Sequence, residues 1–208
     1  SQAGDVILLE QQAYANNSYC PVEYWALFYS AIINATALDR ILIEPAGNGG
    51  TSLDSAVWGS LFLRSYRDSR TIMIGGGTAS NRARWSGSNY GTRLDIQGWS
   101  DYTVASLGYG DLYGTHLSNQ YTATFAGTSS GSALSAGVAA SVQSYARANY
   151  SVYLPPLALR SNLVQNGHTQ TFGLVGSIGP LPDLKLSYQA VIPEPCVWAL
   201  LVVVARWA

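Results

Sequence analysis

Apolar runs set between polar and glycine-rich stretches divide the chain into several buried-type strands and a few helices. Between Asp5 and Glu10 stand four apolar residues in a row, Val6 to Leu9, too many for a strand with one wet face. Ile41 to Glu44 and Thr71 to Ile74 have the same character. Arg93 to Gln97 alternates polar and apolar, which predicts a half-buried strand. Behind Pro21, Val22, Trp25, Ala26, Tyr29, Ile32 and Ile33 recur at helical spacing and predict a helix over Val22 to Arg40. Ser130 to Tyr150 is a small-residue, Ala-rich helix in which Gly137 allows close neighbours, and Pro155-Pro156 opens a shorter one through Val164. Residues 98–126, rich in Gly, Ser, Thr and Tyr, predict long loops or a hairpin. The order strand, helix, strand, strand, helix requires crossovers between parallel strands. The expected fold is therefore α/β, three-layered, with a mainly parallel sheet flanked by helices.

Composition narrows the function classes. Charged residues are 11% of the 208, against about 25% in an ordinary soluble protein. Lys185 is the one lysine, and the formal net charge is -1, which argues against a nucleic-acid footprint or a polybasic membrane surface. A hydrophobic share of 48% excludes a disordered chain. Cys20 and Cys196 are too few for a disulfide framework and form no CxxC metal pair. His116 and His168 are the only histidines in the 208 residues, which argues against a mechanism needing several.

Two motifs carry candidate chemistry. In Gly127-Thr128-Ser129-Ser130-Gly131 a serine stands between a glycine-bearing turn and a helix start. Such a serine has an exposed hydroxyl, and the helix dipole favours negative charge beside it. The plain alternative is that Ser129 merely caps the helix. Ala46-Gly47-Asn48-Gly49-Gly50 follows a buried strand, where the Asn48 amide could donate to an oxyanion. Read alone, it is an ordinary Asn-Gly turn.

Taken together these segments resemble the subtilisin-like serine peptidases. Ala46-Gly47-Asn48-Gly49 is similar to the family's oxyanion segment, and Gly127-Thr128-Ser129 through Gly137 to its nucleophile segment. Asp68 to Gly76, Ser86-Gly-Ser-Asn-Tyr-Gly91 with Leu94-Asp-Ile96, and Leu154 to Leu184 with Ile178-Gly-Pro-Leu-Pro182 resemble the stretches between and beyond. The resemblance covers roughly residues 4–190. It implies a subtilisin-like fold, Ser129 as nucleophile, an oxyanion hole from Asn48 with the Ser129 N–H, and Ala46-Gly47 as the floor of the pocket for the residue before the scissile bond. Two departures stand out. Glu10-Gln11-Gln12 lacks the Gly-rich form usual at the end of the substrate-lining strand, and Ser132-Ala133-Leu134 stands where the family often has a proline.

The family's chain order is Asp, His, Ser. No segment here resembles its Asp or His motif, so the resemblance places both upstream of residue 1 and makes the domain incomplete at its N-terminus. His116, thirteen residues before Ser129, is the one conceivable substitute base; a loop histidine is the plainer reading, and His168 reads as a surface residue. Without a base Ser129 keeps its proton. In subtilisin itself, the reference case, loss of the catalytic histidine costs on the order of 10⁶ in kcat. The chain alone is expected to be nearly inert.

After residue 190, Val191-Ile-Pro-Glu-Pro195, the ten apolar residues Cys196 to Ala205 and Arg206 resemble a PEP-CTERM sorting tail. Ten is half of the roughly 20 needed to span a bilayer, and a last buried element is the alternative. The expected division is 1–190, the peptidase portion, and 191–208, the tail, which implies transient membrane anchoring and a secreted or cell-surface bacterial protein. Peptide or protein substrates and no nucleic acid are expected. No cofactor is expected; the resemblance admits calcium, for which no Asp/Glu cluster marks a site. Three functions compete: a serine endopeptidase, a pseudopeptidase serving as a binding module, and a surface protein whose tail matters more than its cleft.

Overall fold

In the computed structural model of the chain, residues 1–108, 110, 112, 116, 120–171, 173 and 175–191 are described. The tail motif therefore lies outside the described residues, apart from Val191, which is buried.

Four strands, β1 (Val6–Leu8), β4 (Ile41–Pro45), β5 (Ile72–Gly77) and β6 (Ile96–Trp99), form one parallel sheet in the order β1-β4-β5-β6. Val6 pairs with Ile41, Ile43 with Ile72, and Ile74 with Ile96. The continuous apolar runs are explained by burial on both faces. Ile41, Ile43, Ile72, Ile74 and Ile96 pack against one side, while Leu42 packs with Val22 and Ile32 on the other.

The first side is covered by α2 (Gly127–Tyr150), through Ala139, Val142 and Ala146, and by α3 (Pro156–Gln165), through Leu159 and Leu163. The second is covered by α1 (Ala26–Ala37), which contacts β4. Helix, sheet and helix make the three expected layers. A short α4 (Leu184–Gln189), N-capped by the Asp183 carboxylate, packs on α2.

Three sequence expectations need correction. The helix expected over Val22 to Arg40 is a 3₁₀ turn at Val22–Tyr24, an extended Trp25, and then α1. Its break is fixed from outside, because the Glu44 carboxylate in β4 accepts the Glu23 N–H and ties the 3₁₀ turn to the sheet. Arg93 to Gln97 is buried throughout rather than alternately, and the strand begins only at Ile96. Here the polar positions point inward to a charge network. Arg93, fully buried, bonds Glu23 and Asp95, and Asp95 also pairs with Arg64 and faces Arg160, which holds Asp68. Burial works against the Arg93 charge, but Glu23, Asp95 and Glu44 outweigh it and raise its pKa. The long helix begins at Gly127, three residues before the expected start.

Among the described residues three antiparallel pairs stand outside this sheet: β2 (Gln12–Ala15) with β3 (Ser18–Pro21), β7 (Val104–Leu107) with β8 (Tyr121–Phe125), and β9 (Gly167–His168) with β10 (Leu181–Pro182). The β7–β8 pair is the hairpin expected within residues 98–126. The β2–β3 hairpin was not expected. Its two-residue loop, Asn16-Asn17, has positive φ at both positions, as the twist-matched hairpin turn requires.

Candidate active site

Ligand sites of open parallel sheets lie beyond the carboxyl ends of the strands. Two segments meet there. β4 runs into Ala46 to Gly50, and Ser100, just past β6, accepts the Gly127 N–H that opens α2. Asn48 and Ser129 both line one open cleft of about 640 Å³, whose other walls include Trp85, Tyr102, Leu107 and Phe125.

Asn48 is held by its side-chain oxygen. Oδ1 accepts from the Thr128 N–H at 2.9 Å and from the Thr128 hydroxyl at 2.8 Å. A backbone N–H can only donate, so the atom facing it is the oxygen and the amide orientation is fixed. Nδ2 therefore takes the other branch and has no hydrogen-bond partner among the described residues. Gly127, with φ +81°, lies directly beneath, where a Cβ would stand 3.1 Å from Asn48 Nδ2. Only glycine supplies both that dihedral and that space.

Ser129 lies in the first turn of α2, after Gly127 and Thr128, rather than before the helix. This position leaves its N–H outside the helical ladder. Among the described residues that N–H has no acceptor. The hydroxyl is partly exposed, with the Glu10 carbonyl 3.5 Å away, long for a hydrogen bond. Two donors without acceptors among the described residues, Asn48 Nδ2 and the Ser129 N–H, thus belong to residues that line one cleft at a helix N-terminus. Such a group can hold the negative oxygen of a tetrahedral adduct.

Ala46 and Gly47 are placed differently. Both are buried, Ala46 in a cluster with Ala13 and Cys20 from the β2–β3 hairpin, and neither lines the cleft. Cys20 is a free buried thiol, its pKa pushed up to about 12 by burial and by Glu44. His116 is exposed, with residues outside the described set on either side of it. His168 is a half-exposed surface residue paired with Asp183 at 2.9 Å. Among the described residues no cluster of three or more His, Cys, Asp or Glu is placed to hold a metal ion, and no helix is long and apolar enough to cross a membrane.

Sequence reasoning missed Gln12, whose amide oxygen accepts the Asn48 backbone N–H at 2.9 Å. It also missed Thr128 as the anchor of Asn48 and the aromatic wall of the cleft. Thr128 was signalled by its place next to Ser129, and Gln12 by the departure of Glu10-Gln11-Gln12 from a Gly-rich form; nothing in the sequence marked Trp85 or Tyr102.

The Subtilase family model matches residues 12–178. Among solved structures the chain is similar to a cold-adapted subtilisin-like serine proteinase, at 18% identity and a TM-score of 0.59, over 87% of this chain and 55% of that one. It is also similar to a lanthipeptide protease, at 16% identity and TM-score 0.64 over 90% and 62%. A protease from Pseudoalteromonas arctica aligns at 18% identity and TM-score 0.61 over 90% and 51%. These identities speak for the fold alone. The chain spans between half and two thirds of the length of these structures, and no curated protein matches it.

Proposed function

Because the chain belongs to the subtilase family, we propose that it is the C-terminal portion of a serine endopeptidase domain whose catalytic Asp and His lie upstream of residue 1. The observation that carries this reading is the convergence of Asn48 and Ser129 on one cleft, with Asn48 Nδ2 and the Ser129 N–H lacking acceptors among the described residues. In this reaction the upstream imidazole takes the Ser129 proton while Oγ attacks the scissile carbonyl carbon. The carbonyl electron pair moves to oxygen, which receives hydrogen bonds from Asn48 Nδ2 and the Ser129 N–H. Collapse of the adduct breaks the C–N bond, the imidazolium protonates the departing amine, and water then releases the acyl group from Ser129. Ala46 and Gly47 are proposed as the backing of the pocket for the residue before the scissile bond. Substrates are peptides or proteins.

The second reading is a pseudopeptidase binding module that keeps the cleft and uses it without a base. The DNA encoding the residues before Ser1 separates the two: Asp and His motifs in frame support the enzyme, their absence the binding module. Biochemically, the full-length gene product is expected to react with a fluorophosphonate probe, and Ser129→Ala to abolish the labelling. The 208-residue chain alone is expected to label at background. Brisk Ser129-dependent labelling of that chain would overturn the assignment of the base upstream and make His116 the first suspect. We further propose secretion or surface display, with residues 191–208 as a sorting tail. Truncation after Tyr188 is expected to release the protein from the cell envelope, and unchanged envelope association would contradict it.

A further inference from the structure

The segment leaving β1 reaches the site at two points, and only one of them concerns Ser129. The Glu10 carbonyl faces the Ser129 hydroxyl, and two residues on, the Gln12 side chain extends to the Asn48 backbone, Oε1 accepting its N–H at 2.9 Å. The Asn48 N–H can only donate, so the Gln12 amide orientation is as certain as that of Asn48. The loop backbone on either side of Asn48 is tied elsewhere, Ala46 and Gly47 by their carbonyls to Asn89 and Gly50 by its N–H to the Gly87 carbonyl, while Gly47 and Gly49 have no side chains to hold Asn48 itself. Two attachments outside the loop hold the residue: its backbone by Gln12 and its amide oxygen by Thr128. A group attached at one point pivots about it; attached at two, it has a direction.

We propose that Gln12 is a positioning residue that aims Asn48 Nδ2 at the reacting carbonyl oxygen, an inference that rests on the peptidase reading. Gln12 does not line the cleft that Asn48 and Ser129 share; it acts through the Asn48 backbone. Without it the Asn48 N–H loses its acceptor and the residue turns about its Thr128 contact, so that Nδ2 meets the oxygen off line. The oxygen gains its charge only in the transition state, so misalignment lowers kcat and leaves KM nearly unchanged. The departure of Glu10-Gln11-Gln12 from a Gly-rich form then has a physical reason. The side chain at position 12 performs a task that a glycine could not.

The test uses the full-length gene product with a chromogenic peptide amide, rates being divided by the sites titrated with a fluorophosphonate, so that misfolded protein is not counted. Gln12→Ala is expected to lower kcat about 10-fold with KM little changed, and Gln12→Glu, which keeps an acceptor oxygen, to restore most of it. Added to Asn48→Ala, Gln12→Ala is expected to cost no more than twofold further, because there is then no amide to aim. A purely structural Gln12 would lower the titrated fraction and the melting temperature while leaving kcat per site at the wild-type value. That result, or a full Gln12→Ala effect in the Asn48→Ala background, overturns the proposal. A wild-type protein that neither labels nor hydrolyses overturns the peptidase reading instead, and the role of Gln12 with it.

Discussion

At the residue scale, Asn48 shows how much of a candidate oxyanion site is made by anchoring. Its amide oxygen is held by the Thr128 N–H and hydroxyl, which leaves Nδ2 without an acceptor among the described residues. Asn48→Ala in the full-length gene product is expected to lower kcat by about 10²–10³, about 3 kcal/mol, with KM little affected; that magnitude is the one known for the oxyanion asparagine of subtilisin itself. Steady-state kinetics decide it, and a loss expressed in KM would point to a binding role. Glu44 makes a different prediction. One of its oxygens accepts the Glu23 N–H and the carboxyl is fully buried, and burial followed by the Glu23 charge raises its pKa well above 4.5 against the opposing backbone N–H groups and Arg93. A carboxyl that is protonated when folded and ionised when unfolded favours the folded state at low pH. Its contribution is therefore lost as pH rises from about the unfolded value toward the folded one. Asp68 works oppositely and lower on the scale. Burial opposes its charge, but Arg160 and the Arg70 N–H hold it well below the usual carboxylate range, so its stabilisation is lost on acidification. Glu44→Gln is expected to gain stability relative to wild type between pH 5 and pH 8 in urea titrations. Parallel pH profiles would show that Glu44 stays ionised.

At the element scale, Ser129 is placed by the contact between α2 and β6. Gly98 in β6 faces Gly131 in α2 so closely that a Cβ on Gly98 would overlap the Gly131 backbone. Neither partner has a side chain that could move aside. Gly98→Ala must push the first turn of α2 off the sheet, and overpacking of this kind costs about 1–3 kcal/mol. The same push carries Ser129 away from Asn48. The variant is expected to lose fluorophosphonate labelling in the full-length gene product even at temperatures where denaturation curves find it fully folded. Normal labelling of a destabilised Gly98→Ala protein would mean that the loops follow the helix without loss of geometry.

At the scale of the whole molecule, the four-stranded sheet ends at β1, an edge strand whose residues are only partly buried. α1 covers the sheet with few of its own side chains: Ile32 and Thr36 are buried, while Leu27 is 85% exposed and Phe28 and Leu38 face outward with it. An open parallel edge beside an exposed apolar helix face invites association. The 208-residue chain in isolation is expected to aggregate or to melt with poor cooperativity, as read by light scattering and calorimetry. A sharp, reversible two-state transition of the monomer would contradict this.

Much of the architecture was legible because it depends on side-chain polarity alone. The unbroken runs at Val6–Leu9, Ile41–Ile43 and Ile72–Ile74 needed two-sided burial, two-sided burial needed helices on both faces, and the parallel sheet followed. The glycines around Asn48 and Ser129 marked only a turn and a helix start; what these residues do was read from the resemblance to subtilisin-like peptidases. What the sequence could not carry was polarity satisfied at a distance. Arg93 and Asp95 read as a wet face until Glu23, Arg64 and Arg160 were seen to meet them inside. The helix expected from Val22 was broken at Trp25 by a turn that Glu44 holds from another strand. Gln12 stood out only as part of the Glu10-Gln11-Gln12 departure, and its partner stayed unread, because a glutamine's partner 36 residues away is decided by where two strands end. Patterns along the chain determine which groups must leave water. Only the tertiary structure decides which buried or loop-bound polar groups find one another, because that depends on the fold bringing donor and acceptor within about 3 Å.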